Sequence, residues 1–186
     1  PDFEYVVIPA GPTAAMEGEF LLVADRVAAY AEPLGYASAD EALAASTQTL
    51  RGAQLADVTY QRLFDYFADT AKFGTERAWR ILVTDFVTTD DGTGIVHMSP
   101  AYGEVDQAAC QAAGIPVIVS VDEGAVFLPT VTDFVGLQVF EANSPIIRTI
   151  RERGRLFQQK SYAHSYPHCW RCRTPLIYKA VSSWFV

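Results

Sequence analysis

The residues best placed to do chemistry lie in one stretch, Gly92-Thr93-Gly94-Ile95-Val96-His97-Met98-Ser99-Pro100-Ala101-Tyr102-Gly103-Glu104-Val105-Asp106. It sets an imidazole and a carboxylate nine positions apart. Asp106 falls in the first turn of an expected helix, where the macrodipole and free backbone N–H groups favour an ionised carboxylate. Such a group suits holding an ammonium better than donating a proton. Taken singly, each residue also has a plainer reading, Asp106 as a charge at a helix start and His97 as a half-buried histidine with its bonds satisfied. Three sharper alternatives are weaker. Gly92-Thr93-Gly94 lacks the third glycine of a dinucleotide fingerprint, whose place is taken by His97, and no helix follows directly. Ser99, His97 and Asp106 have the residue types of a hydrolase triad, but no Gly-x-Ser-x-Gly elbow surrounds Ser99 and the histidine is only two residues away. A metal site would need a third ligand, and no spacing identifies one.

The elements expected to position these residues follow from local pattern. After the Asp90-Asp91-Gly92 turn, Ile95 and His97 alternate with Val96 and Met98 as in a strand, which Ser99-Pro100 ends. A helix should run from Glu104 through Cys110 to Ala113, with Gly114 as its stop and Pro116 beyond. Val117 to Val121 reads as a second strand. Strand, helix and strand together predict a crossover unit, with the Ser99–Gly103 loop at the carboxyl end of the first strand, flanked by His97 and Asp106.

Gly92 to Pro100, with Asp106 nine residues after His97, resembles the signature of the editing domain inserted in isoleucyl-tRNA synthetases. The segment His164-Ser165-Tyr166-Pro167-His168-Cys169-Trp170-Arg171-Cys172, then Thr174 to Tyr178 and Trp184-Phe185-Val186, is similar to the stretch leading from that insert, the connective peptide, back to the synthetase. In the related valyl and leucyl enzymes the place of His97 resembles lysine and methionine, so histidine points to the isoleucyl branch. The resemblance implies proofreading hydrolysis of valine wrongly esterified to isoleucine tRNA. The isoleucyl enzyme is itself the usual illustration of why this is needed: one missing methylene is worth only about 1–3 kcal/mol, too little for one site to exclude valine. By the same resemblance His97 and Asp106 are the catalytic-site residues. Asp106 would hold the α-ammonium, and His97 would form the wall that rejects isoleucine. Thr93, Gly94 and Tyr102, the last in the Ser99–Gly103 loop, would face the ester and terminal ribose. The base for the attacking water stays open between His97 and a positioned water assisted by the tRNA's own hydroxyl. The family's threonine-rich strand, Trp-Thr-Thr-Thr-Pro-Trp, does not occur here, and Thr88-Thr89 does not replace it. The expectation is therefore that the sequence starts inside the insert.

The chain has 186 residues, half of them hydrophobic, enough for a domain with a real core. No signal peptide or apolar spanning run appears, and three cysteines without a pairing pattern read as cytosolic. The net charge of −8 is unevenly spread: Lys160, Arg171, Arg173 and Lys179 follow residue 159 with no acidic residue among them. Residues 1–159 thus carry 10 basic against 22 acidic side chains, or −12. So acidic a body is no general binder of nucleic-acid backbone. RNA would reach it as a single tethered end, the aminoacylated 3′ end of tRNA, with the rest of the synthetase holding the remainder. This places the editing domain at 1–159 and a linker returning to the synthetase body at 160–186.

In chain order, Phe3–Ile8 and Glu19–Val23 should form a hairpin, a helix should run from Ala24 to about Ala31, and Asp40 should cap a short helix through Ala45. Thr47–Leu55, Val58–Tyr60, Trp79–Val83 and Phe86–Thr88 read as extended, and Phe64, Tyr66 and Phe67 as core or interface. Val117–Val121 and Ala125–Leu128 should pair around Asp122-Glu123-Gly124. Asn143 or Ser144 with Pro145 should open a last helix ending near Gly154. Strands are expected to outnumber helices, giving a mixed α/β fold: a small barrel-like sheet core with peripheral helices, the type implied by the resemblance. Cys169-x-x-Cys172 has the spacing of half a zinc site, with His164 and His168 nearby. In relatives this pair faces a second cysteine pair, so structural zinc is expected only in the full-length enzyme, and no cofactor in the editing reaction. Cys110 reads as a small buried residue. Rival readings are a valyl-type editing domain, a non-catalytic docking module, and a free-standing hydrolase of small esters.

Overall fold

A computed structural model describes residues 2–161 and 163–182. The chain divides into two compact units, Pro1–Gln61 with Trp79–His97, and Arg62–Ala78 with Met98–Val186. The fold is mixed α/β, built around a small antiparallel sheet that is open rather than closed into a barrel.

The first unit is organised by its central strand. β1 (Glu4–Pro9) pairs antiparallel with β2 (Glu19–Val23), Tyr5 opposite Val23 and Pro9 opposite Glu19. On its other edge lies β3 (Gln48–Arg51), after the helices α1 (Val27–Tyr30) and α2 (Ala39–Ala44), with Tyr5 opposite Leu50. Tyr5, Val6 and Ile8 are all buried, so this strand is covered on both faces. Tyr5, Val23 and Leu55 form one core cluster, against which Phe3, Leu21, Leu50 and Ile81 pack. Ile8, Val23, Val27 and Leu34 are the largest fully buried side chains. Each contributes about 1.5–3 kcal/mol by leaving water.

The expected hairpin is present with β2 as read, and the segment after it starts as a 3-10 turn, Ala24–Arg26, before becoming α1. α2 is capped by Ser38 rather than Asp40. The Ser38 hydroxyl accepts from Glu41 N at 3.2 Å, and Glu41 reaches back to Ala37 N at 3.0 Å. Three residues separate Ser38 from Glu41, so a serine-led capping arrangement outcompetes an aspartate already inside the turn. The reading of Trp79–Val83 as a strand reduces to one bridge, Thr59 with Arg80.

The second unit contains α3 (Thr70–Phe73), α4 (Glu104–Ala112) and α5 (Val139–Glu152). α4 starts and stops where expected, Gly114 N closing on the Gln111 carbonyl at 2.9 Å. Its flanking strands do not form a crossover. Residues 95–98 join no ladder, and Val117–Val121 makes a single bridge, Val121 with Phe127. Alternation of apolar residues favours extended backbone, but a strand also needs a partner edge, which a local pattern does not specify. The turn at Asp122-Glu123-Gly124 does form, the Asp122 carboxylate accepting from Gly124 N at 2.8 Å and Val126 N at 2.9 Å. α5 begins at Val139, with Gln138 as its cap, and carries Pro145 inside it rather than at its start. The reversal just before it, where Val139 N bonds the Ala125 carbonyl at 3.0 Å, fixes that start. Contrary to expectation, three strands stand against five α-helices among the described residues.

Phe64 and Tyr66 are packing residues, stacked at 5.2 Å with Phe134 edge-on to both. Arg153 lies 4.7 Å above the Phe64 ring and 3.1 Å from the Asp133 carboxylate, which also accepts from Tyr66 Oη at 2.9 Å. Burial and this bond to Asp133 push the Tyr66 phenol well above its ordinary range. No helix of the described residues is long and apolar enough to cross a membrane.

Gly35 sets the limit of tolerance in the first unit. Its φ is +88°, and an added Cβ would lie 2.4 Å from Ala14 N and 2.9 Å from the Gly11 carbonyl carbon. Gly35→Ala is expected to cost about 2–4 kcal/mol, read as a lowered urea midpoint. An unchanged midpoint would show that this turn rearranges freely.

Candidate functional site

The predicted site residues are divided between the two units, His97 closing the first and Tyr102 and Asp106 belonging to the second. In the first unit, the loop before His97 is fastened to the sheet by its carbonyls. Tyr5 Oη donates to Gly94 O at 2.6 Å, and Val23 N donates to Thr93 O at 2.9 Å. Arg26 gives Nε to Gly92 O at 3.2 Å and Nη1 to Asp90 O at 3.0 Å. Burial pushes the Tyr5 phenol up, so it remains a donor. Gly94 is buried with φ +76°, and a Cβ there would meet Val23 Cβ at 2.7 Å. Only glycine lets the loop lie this close to the sheet. The Thr93 hydroxyl donates to Ile95 O at 3.3 Å and accepts from Ile95 N at 3.4 Å. His97 is exposed, not half-buried as its sequence context suggested. The reason is the missing ladder: with no strand beside it, Ile95, Val96 and His97 are all left exposed.

In the second unit Asp106 does not cap its own helix. Gly103 occupies the N-cap without a side-chain bond, and Asp106 Oδ2 turns back to accept from Ser99 N at 2.9 Å. A Cβ on Gly103 would fall 2.8 Å from that oxygen, so glycine leaves room for the carboxylate. The other carboxylate oxygen has no hydrogen-bond partner among the described residues. Tyr102 Oη shares a hydrogen bond with Ser120 Oγ at 2.7 Å and accepts from Ser120 N at 2.9 Å. That hydroxyl and the Tyr102 N–H, which bonds the Ser99 carbonyl at 2.9 Å, are both committed to holding the loop.

The tail folds into a tight reversal around the cysteine pair. Cys169 N bonds Thr174 O at 2.8 Å, Arg173 N bonds Cys169 O at 2.9 Å, and Arg173 takes φ +62°. Ala180 N bonds the Ala101 carbonyl at 2.8 Å, tying the tail to the Ser99–Gly103 loop. Among the described residues no group of three or more His, Cys, Asp or Glu side chains is placed to hold a metal. Cys169 and Cys172 are two thiols, and a tetrahedral zinc site needs four ligands. The expected Trp184-Phe185-Val186 segment lies outside the described residues.

No protein-family profile matches the chain. Along its whole length it is 60% identical to the isoleucine–tRNA ligase of Leifsonia xyli subsp. xyli (strain CTCB07). The chain is a homologue of one segment of isoleucine–tRNA ligase. Ligases of that name from Mycobacterium leprae (strain TN) and Tropheryma whipplei (strain Twist) are 45% and 43% identical, again over the entire chain. The chain spans only 18%, 17% and 17% of these three isoleucine–tRNA ligases, respectively.

Within this chain, sequence reading missed Tyr5, Arg26 and Ser120. Tyr5 and Arg26 lie 89 and 66 residues from the carbonyls of Gly94 and Gly92. No local signal marks contacts at that range. The thiols, by contrast, follow their surroundings. Burial, and then the charge of Asp106, push Cys110 up, in keeping with its expected place as a small buried residue. The Thr174 hydroxyl, 2.9 Å from Cys172 Sγ, is the first cause that lowers Cys172 to about 7, followed by Thr174 backbone and Cys169 hydrogen bonds.

Because the thiolate is the nucleophile, Cys172 should alkylate with a rate that rises through about pH 7 and levels off above it. Thr174→Val should move that midpoint up toward the ordinary 9.0, while Cys110 stays unmodified in the folded chain. Iodoacetamide labelling followed by mass spectrometry checks this, and a midpoint unmoved by Thr174→Val would disprove the assigned cause.

Proposed function

We propose that this segment is the proofreading hydrolase of an isoleucine–tRNA ligase, cleaving valine from isoleucine tRNA. The observation that carries the reading is the whole-length identity to isoleucine–tRNA ligases of a chain that contains the Gly92–Pro100 stretch followed by Asp106. In the reaction, water adds to the ester carbonyl, and the bond from the acyl carbon to the terminal ribose oxygen breaks. The ribose oxygen gains a proton, and valine and free tRNA leave. Water is the only co-reactant, and the reaction calls on no cofactor.

Asp106 is proposed to hold the α-ammonium of the valyl group. Its Oδ2 bond to Ser99 N fixes the carboxylate, and the remaining oxygen is available for a charge-assisted contact. His97, exposed at the end of the first unit, is proposed as the steric wall that admits valine and rejects isoleucine. Thr93, Gly94 and Tyr102 are proposed to face the ester and terminal ribose. The partners are the aminoacylated 3′ end of tRNA and the rest of the ligase. The −12 charge of residues 1–159 supports leaving the tRNA body to other parts of the enzyme.

Residues 1–159 are proposed as the editing domain and 160–186 as the segment returning to the ligase body, in the cytoplasm. Trp170 and Tyr178, 77% and 76% exposed, favour a docking role for that last segment. A structural zinc at Cys169 and Cys172 is proposed only for a longer ligase that supplies further ligands. A valyl-type domain is disfavoured by His97 and by the isoleucine specificity named for the relatives.

In a ligase carrying this segment, Asp106→Ala should lower kcat/KM for valyl-tRNA deacylation by about 10–100-fold, the worth of a hydrogen bond to a charged group. Full activity at low substrate would place the ammonium anchor elsewhere. His97→Ala should narrow the preference for valyl over isoleucyl ester by about tenfold or more. Unchanged discrimination would remove His97 from the wall, and a fall in kcat with discrimination intact would make it the base instead.

A further inference from the structure

The loop from Asp90 to Ile95 turns four carbonyls toward the body of its unit. Arg26 takes those of Asp90 and Gly92, Val23 N takes that of Thr93, and Tyr5 takes that of Gly94. Among the described residues no peptide bond is cis. In a planar trans peptide the N–H points opposite to the C=O, so fastening Gly92 O and Thr93 O aims the N–H groups of Thr93 and Gly94 away from those fixings. Neither N–H has an acceptor among the described residues. Two adjacent unpaired donors, with their directions fixed from behind, form a place for an oxygen that carries or develops negative charge.

We propose that Arg26 and Tyr5 are positioning residues for such a donor pair, with Thr93 N–H and Gly94 N–H receiving the ester carbonyl oxygen as water adds to it. The proposal rests on the proofreading reading above. Arg26 and Tyr5 act only through the loop. Arg26 sets the entry side through two carbonyls, and Tyr5 sets the exit side through a buried hydroxyl on the central strand. Both are needed because donors misplaced by even 1 Å lose most of their effect on a transition state.

The test uses a ligase carrying this segment, comparing the parent with Arg26→Ala, Arg26→Lys and Tyr5→Phe. Tyr5→Phe keeps the buried ring and removes only the hydroxyl. Donors that act on the transition state predict that kcat for valyl-tRNA deacylation falls by about tenfold in Arg26→Ala and Tyr5→Phe with KM little changed. Arg26→Lys, which can still reach one carbonyl, should recover part of the loss. Isoleucine attachment should be unchanged in all three, and limited proteolysis within residues 90–95 should accelerate in the two impaired variants. A loop that loosens while kcat stays at the parent value would reduce both residues to a structural role and overturn the proposal. So would unchanged proteolysis of that loop. A parent ligase that does not deacylate valyl-tRNA would overturn the proofreading reading itself, and that failure is seen before any variant is made.

Discussion

The hydrogen bond from Tyr5 Oη to Gly94 O, 2.6 Å long and buried, is the constraint on which the first unit's candidate site depends. Tyr5 is at once a residue of the central strand, a member of the core cluster and the anchor of the loop before His97. Its ring is held by burial and its backbone by two neighbouring strands, so its hydroxyl has little freedom to move. A glycine at 94 completes the arrangement by letting the loop backbone approach where Val23 would exclude a Cβ. Precision at the loop is thus borrowed from the sheet, whose central strand is paired on both edges.

The second unit solves a similar problem with a carboxylate. Asp106 gives up the ordinary role of a helix-start acid and bonds the backbone of Ser99 instead, across a Gly103 that leaves it space. The Ser99–Gly103 loop is tied a second time by Tyr102 to Ser120, and a third by Ala101 to Ala180. Three short bonds from three directions make this loop a fixed support although it belongs to no regular element. The ammonium anchor proposed for Asp106 would gain from this, because a carboxylate that must first be ordered spends part of its binding energy on that ordering.

Charge and thiol chemistry separate along the chain in the same way. The acidic side chains all fall within residues 1–159, while the tail carries cations, exposed aromatics and a cysteine turn. The proposed function gives this asymmetry a physical sense, since an acidic domain would admit one RNA end only if another surface held the rest. The two thiol environments differ for local reasons, Cys110 enclosed by apolar packing near Asp106, and Cys172 exposed beside a hydroxyl that steadies its thiolate.

Sequence by itself determined what short-range chemistry controls. The β1–β2 hairpin, the start and stop of α4, the turn at Asp122-Glu123-Gly124 and the burial of Cys110 follow from period, cap and turn residues a few positions apart. The stretch that carries Thr93, Gly94, His97 and Asp106 was picked out as a candidate site by its resemblance to a family signature rather than by period or cap. Tertiary structure alone decided the rest. Residues 95–98 have a strand's alternation but no partner edge, and the early start of α5 depends on a backbone bond between Val139 and Ala125. The turn of Asp106 toward Ser99, and the reach of Arg26 and Tyr5 to a loop 66 and 89 residues away, depend on the folded path of the chain. Periodicity and capping act within about one turn of chain, whereas partners at that distance meet only after the core has formed.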